Sequence, residues 1–164
     1  MSVMKVEQQT ETTPVQGLAR LAALIFHYLA QEAVETLGSE KGRALVAAAI
    51  HNMGVDRGRR IRQVVDEAAL EPTLDNMYKH YDLPIGEGWE GTTEKVGNRR
   101  IQTFTYCPMA EVWQELGAEE LDILYCDIDM AIIEGYNPDI KIERLESLLK
   151  HDGRCVYEYT AKDA

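Results

Sequence analysis

In the run Tyr125-Cys126-Asp127-Ile128-Asp129-Met130, a thiol and a carboxylate stand three residues apart. On a helix such positions are neighbours, so Cys126 and Asp129 would share one face. A carboxylate beside a thiol can take its proton or orient a water molecule, which suits nucleophilic or general acid–base work. The same carboxylate raises the thiol pKa unless a cation such as Arg144 offsets it. On spacing alone, a buried structural cysteine beside a capping or solvated aspartate is the simpler account.

The cation lies on a predicted strand over residues 140–145. Side chains alternate along a strand, so Ile140, Ile142 and Arg144 point one way and Lys141 and Glu143 the other. If the isoleucines face a core, Arg144 faces it too. A guanidinium there must be paired, either with an internal carboxylate or with the carboxylate of a ligand. A shift of one residue would return it to solvent. On the last strand, over 154–160, Cys155, Tyr157 and Tyr159 share a face. Cys107, Cys126, Cys155 and His151 together supply zinc donors, but their spacing matches no standard module and contains no Cys-x-x-Cys pair. No metal and no cofactor are expected. His27, His51 and His80 are scattered over predicted helices and read as surface or satisfied core positions. Arg57, Arg59, Arg60 and Arg62 read mostly as a solvated face paired with nearby acids, although one of them could reach an anionic ligand.

Positioning these groups requires a scaffold. Pro14 opens a helical pattern of Leu18, Leu21, Ala22, Ile25 and Leu29, extended by Val34 and Leu37 and ended by Gly38. Ser39 is a good N-cap for a second, long helix reaching residue 69. Its stripe of Ala47, Ile50, Gly54, Gly58, Ile61, Val65 and Ala68 contains two glycines, each costing about 1 kcal/mol against alanine inside a helix. They imply close approach of another helix, a kink near Gly54, or a subunit interface. A short helix over 73–81 is followed by a loop at Pro84, Gly86 and Gly88. Strands over 89–96 and 99–106 flank Gly97-Asn98, a two-residue hairpin turn. Helices over 109–116 and 119–133 come next, then a second hairpin from the strands over 140–145 and 154–160. This order implies an α+β fold, with N-terminal helices packed on one face of a small antiparallel sheet made of two hairpins. Residues 1–13 are polar and read as a flexible N-terminal arm, and 14–164 as a single domain.

The net charge of −11 argues against nucleic acid as a partner, because phosphate binding needs a positive field. The longest apolar run, 44–50, is too short to span a membrane. Three cysteines is an odd number and no secretory pattern precedes them, so a cytoplasmic protein is expected rather than a stapled secreted scaffold.

The run Tyr125 to Ala131, then Glu134-Gly135-Tyr136-Asn137-Pro138, Arg144, and Asp152-Gly153-Arg154-Cys155 resembles the signature of the L-2-amino-thiazoline-4-carboxylic acid hydrolase family. Cys107-Pro108 and the helix from Gly42 to Arg62 also fit, so the likeness covers most of the chain. It is most specific between Cys126 and Tyr159. The resemblance implies an α+β fold and hydrolytic opening of a small cyclic, amidine-like thiazoline to a carbamoyl derivative of cysteine. The C-terminal hairpin is also similar to that of vinyl-reductase-type ligand-binding domains, some of which hold zinc. Arg144 and Ser147 stand where a glutamate and a cysteine would be needed for that metal.

The expected protein is therefore a small-molecule hydrolase opening a thiazoline or related cyclic C–N bond. Chemistry assigns Cys126 as nucleophile or Asp129 as activator of water, with Asp127 in support. Arg144 would hold the carboxylate of a small substrate, and Cys155, Tyr157 and Cys107 would line the pocket. The alternative is a non-catalytic small-molecule-binding sensor or accessory domain, similar to the vinyl-reductase type. A homo-oligomer is compatible with either, and neither reading calls for nucleic acid or membrane.

Overall fold

The structure, a computed structural model, describes residues 12–161. The arm expected over 1–13 lies outside it except for Thr12 and Thr13. Thr13 caps the first helix, α1 (Pro14–Leu37). Its hydroxyl accepts the Gln16 backbone N–H at 3.1 Å, and the Gln16 side chain accepts the Thr13 N–H at 3.0 Å. This reciprocal box satisfies two donors that a helix start leaves open. At the other end Gly38, at φ +82°, turns the chain into α2 (Ser39–Glu67). The expectation for Ser39 is corrected here. A tight joint between antiparallel helices needs a positive φ, which glycine adopts cheaply. Gly38 therefore takes the cap position, and Ser39 is already helical.

Ile50, Gly54, Gly58, Ile61 and Val65 are buried as the stripe implied, while Ala47 and Ala68 are exposed and Val46 and Val55 take their share of the core. The stripe packs on α6 (Ile128–Tyr136) of the same chain. A Cβ at Gly54 would collide with Ala131, and one at Gly58 with the Ile132 carbonyl oxygen. One at Gly135 would strike the Val55 carbonyl in return. The glycines thus let two helix backbones touch, and this face is not available to a second subunit.

After α3 (Leu74–Lys79) and a 3-10 turn at Ile85–Glu87, strands β1 (Glu90–Val96) and β2 (Arg99–Tyr106) form the first hairpin. Then come α4 (Pro108–Glu115), α5 (Glu119–Asp122), a 3-10 segment at Ile123–Asp127, and α6. Strands β3 (Lys141–Glu146) and β4 (Cys155–Thr160) close the chain around a 3-10 turn at Leu148–Lys150. The sheet is antiparallel in the order β1-β2-β4-β3, so the two hairpins join through β2 and β4. The continuous helix expected over 119–133 is corrected to α5, a 3-10 segment and α6. A 3-10 turn advances about 120° per residue against about 100° for an α-helix, and local apolar spacing does not distinguish so short a segment from an α-helix.

The core has two clusters. One gathers Ile61, Val65, Met77, Ile128, Ile132, Tyr136, Tyr157 and Tyr159 from α2, α3, α6 and β4. The other gathers Ala19, Ala23, Met109, Val112, Trp113 and Leu149 around α1 and α4. Among the described residues, no helix is long and apolar enough to cross a membrane.

Candidate functional site

A cavity of about 370 Å³ opens at the seam of the two clusters. Its walls include Ala19, Met109, Ala110, Trp113 and Leu149 from one, and Ile128, Cys155 and Tyr157 from the other. Of the residues singled out in the sequence, Cys107, Cys126, Asp129, Cys155 and Tyr157 all line it. They come from four different local features. Cys107 caps α4, Cys126 sits in the 3-10 segment, Asp129 in the first turn of α6, and Cys155 and Tyr157 on the inner face of β4.

Arg144 and Asp127 are placed differently. β3 alternates as expected, with Ile142 and Arg144 turned inward and Lys141, Glu143 and Leu145 exposed. Yet Arg144 does not line the cavity. Its Nη2 donates to Asp127 at 3.0 Å, and Asp127 is half exposed. Arg144 lies directly across the strands from Tyr157, and its Nη1 is buried with no partner among the described residues. The even choice between an internal carboxylate and a ligand thus falls to Asp127 for one edge of the guanidinium.

Among the described residues, Asp129 is the single carboxylate on the cavity wall. Burial pushes its carboxyl above the usual carboxylate range, while the adjacent Tyr157 hydroxyl and then the Arg57 and Arg144 cations pull it back. A carboxyl whose proton is held this way can take and return it as a general base. Tyr157, driven well above its ordinary pKa by burial and by Asp129, stays a neutral donor.

The thiols point elsewhere chemically. Burial pushes Cys126 well up, and Cys107, Asp129 and Cys155 add to it against the opposing field of Arg144. Cys107 accepts the Trp89 indole N–H at 3.1 Å, and Cys155 accepts the Leu148 backbone N–H at 3.3 Å, but burial raises both thiols as well. The thiolate is the nucleophile, so all three should be sluggish. We expect iodoacetamide at mildly alkaline pH to alkylate the native chain at least ~10-fold more slowly than the denatured chain, one pKa unit being tenfold in thiolate. Intact-mass time courses in the two states check this, and equal rates would contradict it.

Arg57 was not individually resolved in the sequence, yet it is the cation on the cavity wall. Its Nε and Nη2 donate to both oxygens of Asp82 at 2.9 and 2.6 Å, and it lies over the Tyr81 ring. The signal was its helical phase: Arg57 stands three after Gly54 and four before Ile61, on the edge of the buried stripe. Arg60 and Arg62 instead form surface pairs with Asp56 and Asp66 one turn away. His27 is held by the buried Asp122 at 2.8 Å, and His51 by Glu134 at 2.9 Å. His151 is exposed at the end of the last 3-10 turn, and the described residues contain no cluster of three or more metal-ligating side chains.

No curated protein matches the chain. Two similar solved structures share its fold. One is trafficking protein particle complex subunit 3 from Naegleria fowleri, covalently bound to palmitic acid, at 14% identity and a TM-score of 0.58, over 90% of this chain and 97% of that one. The other is the phenol-responsive sensory domain of the transcription activator PoxR with phenol, at 12% identity and a TM-score of 0.56, over 87% of this chain and 74% of that one. At these identities the likeness concerns the fold alone. The family model, however, matches residues 19–159, from within α1 to within β4, and on that match the chain belongs to the L-2-amino-thiazoline-4-carboxylic acid hydrolase family.

Proposed function

We propose that the chain is a hydrolase that opens a thiazoline or related cyclic C–N bond, with Asp129 as the group that activates water. The observation that carries this reading is one desolvated carboxyl on a largely apolar cavity wall, with a neutral tyrosine hydroxyl beside it and a cation nearby. Family membership supports hydrolysis as the reaction type. In this scheme ionised Asp129 takes a proton as a water oxygen adds to the amidine carbon. The resulting tetrahedral carbon then releases a ring heteroatom, which receives that proton. One water is consumed, one ring bond is lost, and the product is a carbamoyl derivative of cysteine. Arg57, steadied by Asp82, is the better placed cation for the substrate carboxylate. Arg144 acts from beside Tyr157 by keeping part of Asp129 ionised. Cys126 lines the site as a neutral thiol, and Asp127 orients Arg144. Incubating the purified chain with L-2-amino-thiazoline-4-carboxylate tests this. Mass spectrometry should show ring opening with the gain of one water, and an unchanged substrate would contradict the reading.

The second reading is a non-catalytic small-molecule-binding domain. It is favoured by the apolar walls and by the palmitic acid and phenol held by the two proteins of like fold. Binding of the thiazoline without turnover would select it.

We also propose that the chain self-associates through α1. Leu18, Leu21, Ile25 and Leu29 are each more than half exposed along one side of that helix. Arg20 is turned to Glu111 and Glu115, and His27 to Asp122, which leaves this side free of charge from Leu18 to Leu29, with Glu32 the next residue along it, in a chain of net charge −11. Like-charge repulsion is least there, and contiguous exposed apolar surface marks contact sites. Light scattering should give the mass of a dimer for the wild type and of a monomer for the Leu21→Glu/Ile25→Glu variant. A monomeric wild type would contradict this.

A further inference from the structure

The walls of the cavity divide by chemistry. Arg57, Asp129 and Tyr157 come from α2, α6 and β4, whereas α1 and the 83–89 loop contribute Val15, Ala19, Ala22, Leu83 and Ile85. Both tryptophans of the chain, Trp89 and Trp113, also line the cavity. Their indole N–H groups are already spent, on Cys107 at 3.1 Å and on the Ala23 carbonyl at 3.1 Å, so they offer a ligand only ring surface. At interior packing density a guest filling about 370 Å³ would hold on the order of 15 heavy atoms, well beyond a thiazoline carboxylate. A small polar guest would leave the α1 wall facing water.

We propose that the site takes a two-part substrate: a polar, hydrolysable head at Asp129 and Arg57, and an apolar tail or ring seated against α1 and the 83–89 loop. The head rests on the hydrolytic reading above, whereas the tail rests on the walls alone. The substrate class then extends from the amino-acid heterocycle itself to acyl- or aryl-substituted amphiphiles that carry it as their head. Affinity should follow the apolar area that the guest buries, at about a threefold to fourfold gain per methylene.

The test is a titration of the wild-type chain with straight-chain carboxylates from butanoate to decanoate, read by tryptophan fluorescence and by calorimetry. We expect saturable one-to-one binding that tightens about threefold to fourfold per methylene until the cavity is full. Ala19→Leu and Ala110→Leu, which intrude from the α1 and α4 walls, should each weaken the longest member at least tenfold and leave butanoate within about twofold. Circular dichroism identifies which variant folds, and either one suffices. Leu45→Glu, at an exposed position of α2 outside the cavity, should leave the series unchanged. Affinity independent of chain length, no saturable binding, or loss of the series in Leu45→Glu would overturn the proposal. The titration does not depend on turnover. A flat series with intact thiazoline opening refutes the tail alone, and a steep series without opening refutes the hydrolytic reading alone.

Discussion

Asp129→Asn is expected to lower kcat/KM for thiazoline opening on the order of 10²–10⁴-fold, the usual weight of a general base. Asparagine has the same shape and still accepts from the Tyr157 hydroxyl, but it cannot take a proton from water. The loss should occur without unfolding. Burial raises the Asp129 carboxyl, so the folded chain holds this proton to higher pH than the unfolded chain does. Native stability therefore falls as pH rises from the ordinary carboxylate range through the folded pKa of Asp129. Wherever it is ionised the buried carboxylate is a cost, and its replacement by a neutral amide should leave the melting temperature unchanged or higher. Steady-state kinetics and a thermal melt at neutral pH check both halves. Near-wild-type turnover would contradict the role, and a collapse in melting temperature would contradict the electrostatics.

Gly58→Ala is the change expected to cost most stability. The added Cβ would meet the Ile132 carbonyl oxygen, the Tyr136 nitrogen and the Gly135 carbonyl carbon, all backbone atoms that cannot rotate away. α2 and α6 would have to part. Because Gly135 meets Val55 from the other side, the strain falls on a contact that is close in both directions. We expect a loss of at least ~3 kcal/mol, the upper part of the overpacking range. Since α6 carries Asp129, activity should fall with it. Gly17→Ala in α1 is the control. Nothing lies within 4 Å of its Cβ position, and alanine should add about 1 kcal/mol through helix propensity. Urea midpoints compare the two, and a Gly58→Ala chain within about 1 kcal/mol of wild type would contradict the packing argument.

Much of this arrangement was legible from residue order because local rules and tertiary packing agree. Gly97-Asn98 joins strands whose register runs from Val96↔Arg99 outward, as a two-residue turn demands. The phase of Ile142 and Arg144 on β3 held because the register irregularity in that strand falls after Arg144. The glycines of α2 signalled a close helix, although not that the helix was α6, since a missing side chain marks a contact without naming the partner. The β2–β4 pairing joins segments about fifty residues apart, and no local pattern encodes it. Arg57 was obscured for another reason. It stands among surface arginines, and its capture by Asp82 depends on where the loop after α3 returns. The inward strand face of Arg144 was right, yet the phase of a strand cannot tell a cavity-lining guanidinium from one a layer further along the same face.

The most direct measurement of the central claim is kcat/KM for thiazoline opening by Cys126→Ser as a function of pH. If Asp129 activates water and the thiol only lines the site, this variant should stay within about tenfold of wild type, in contrast to the on the order of 10²–10⁴-fold expected for losing a base. Its rate should rise with pH along the wild-type limb, with a midpoint above the usual carboxylate range, as burial of Asp129 requires. Loss of turnover in Cys126→Ser would make the thiol the nucleophile, and a limb at the ordinary carboxylate position would separate Asp129 from the chemistry. Either result would contradict the mechanism.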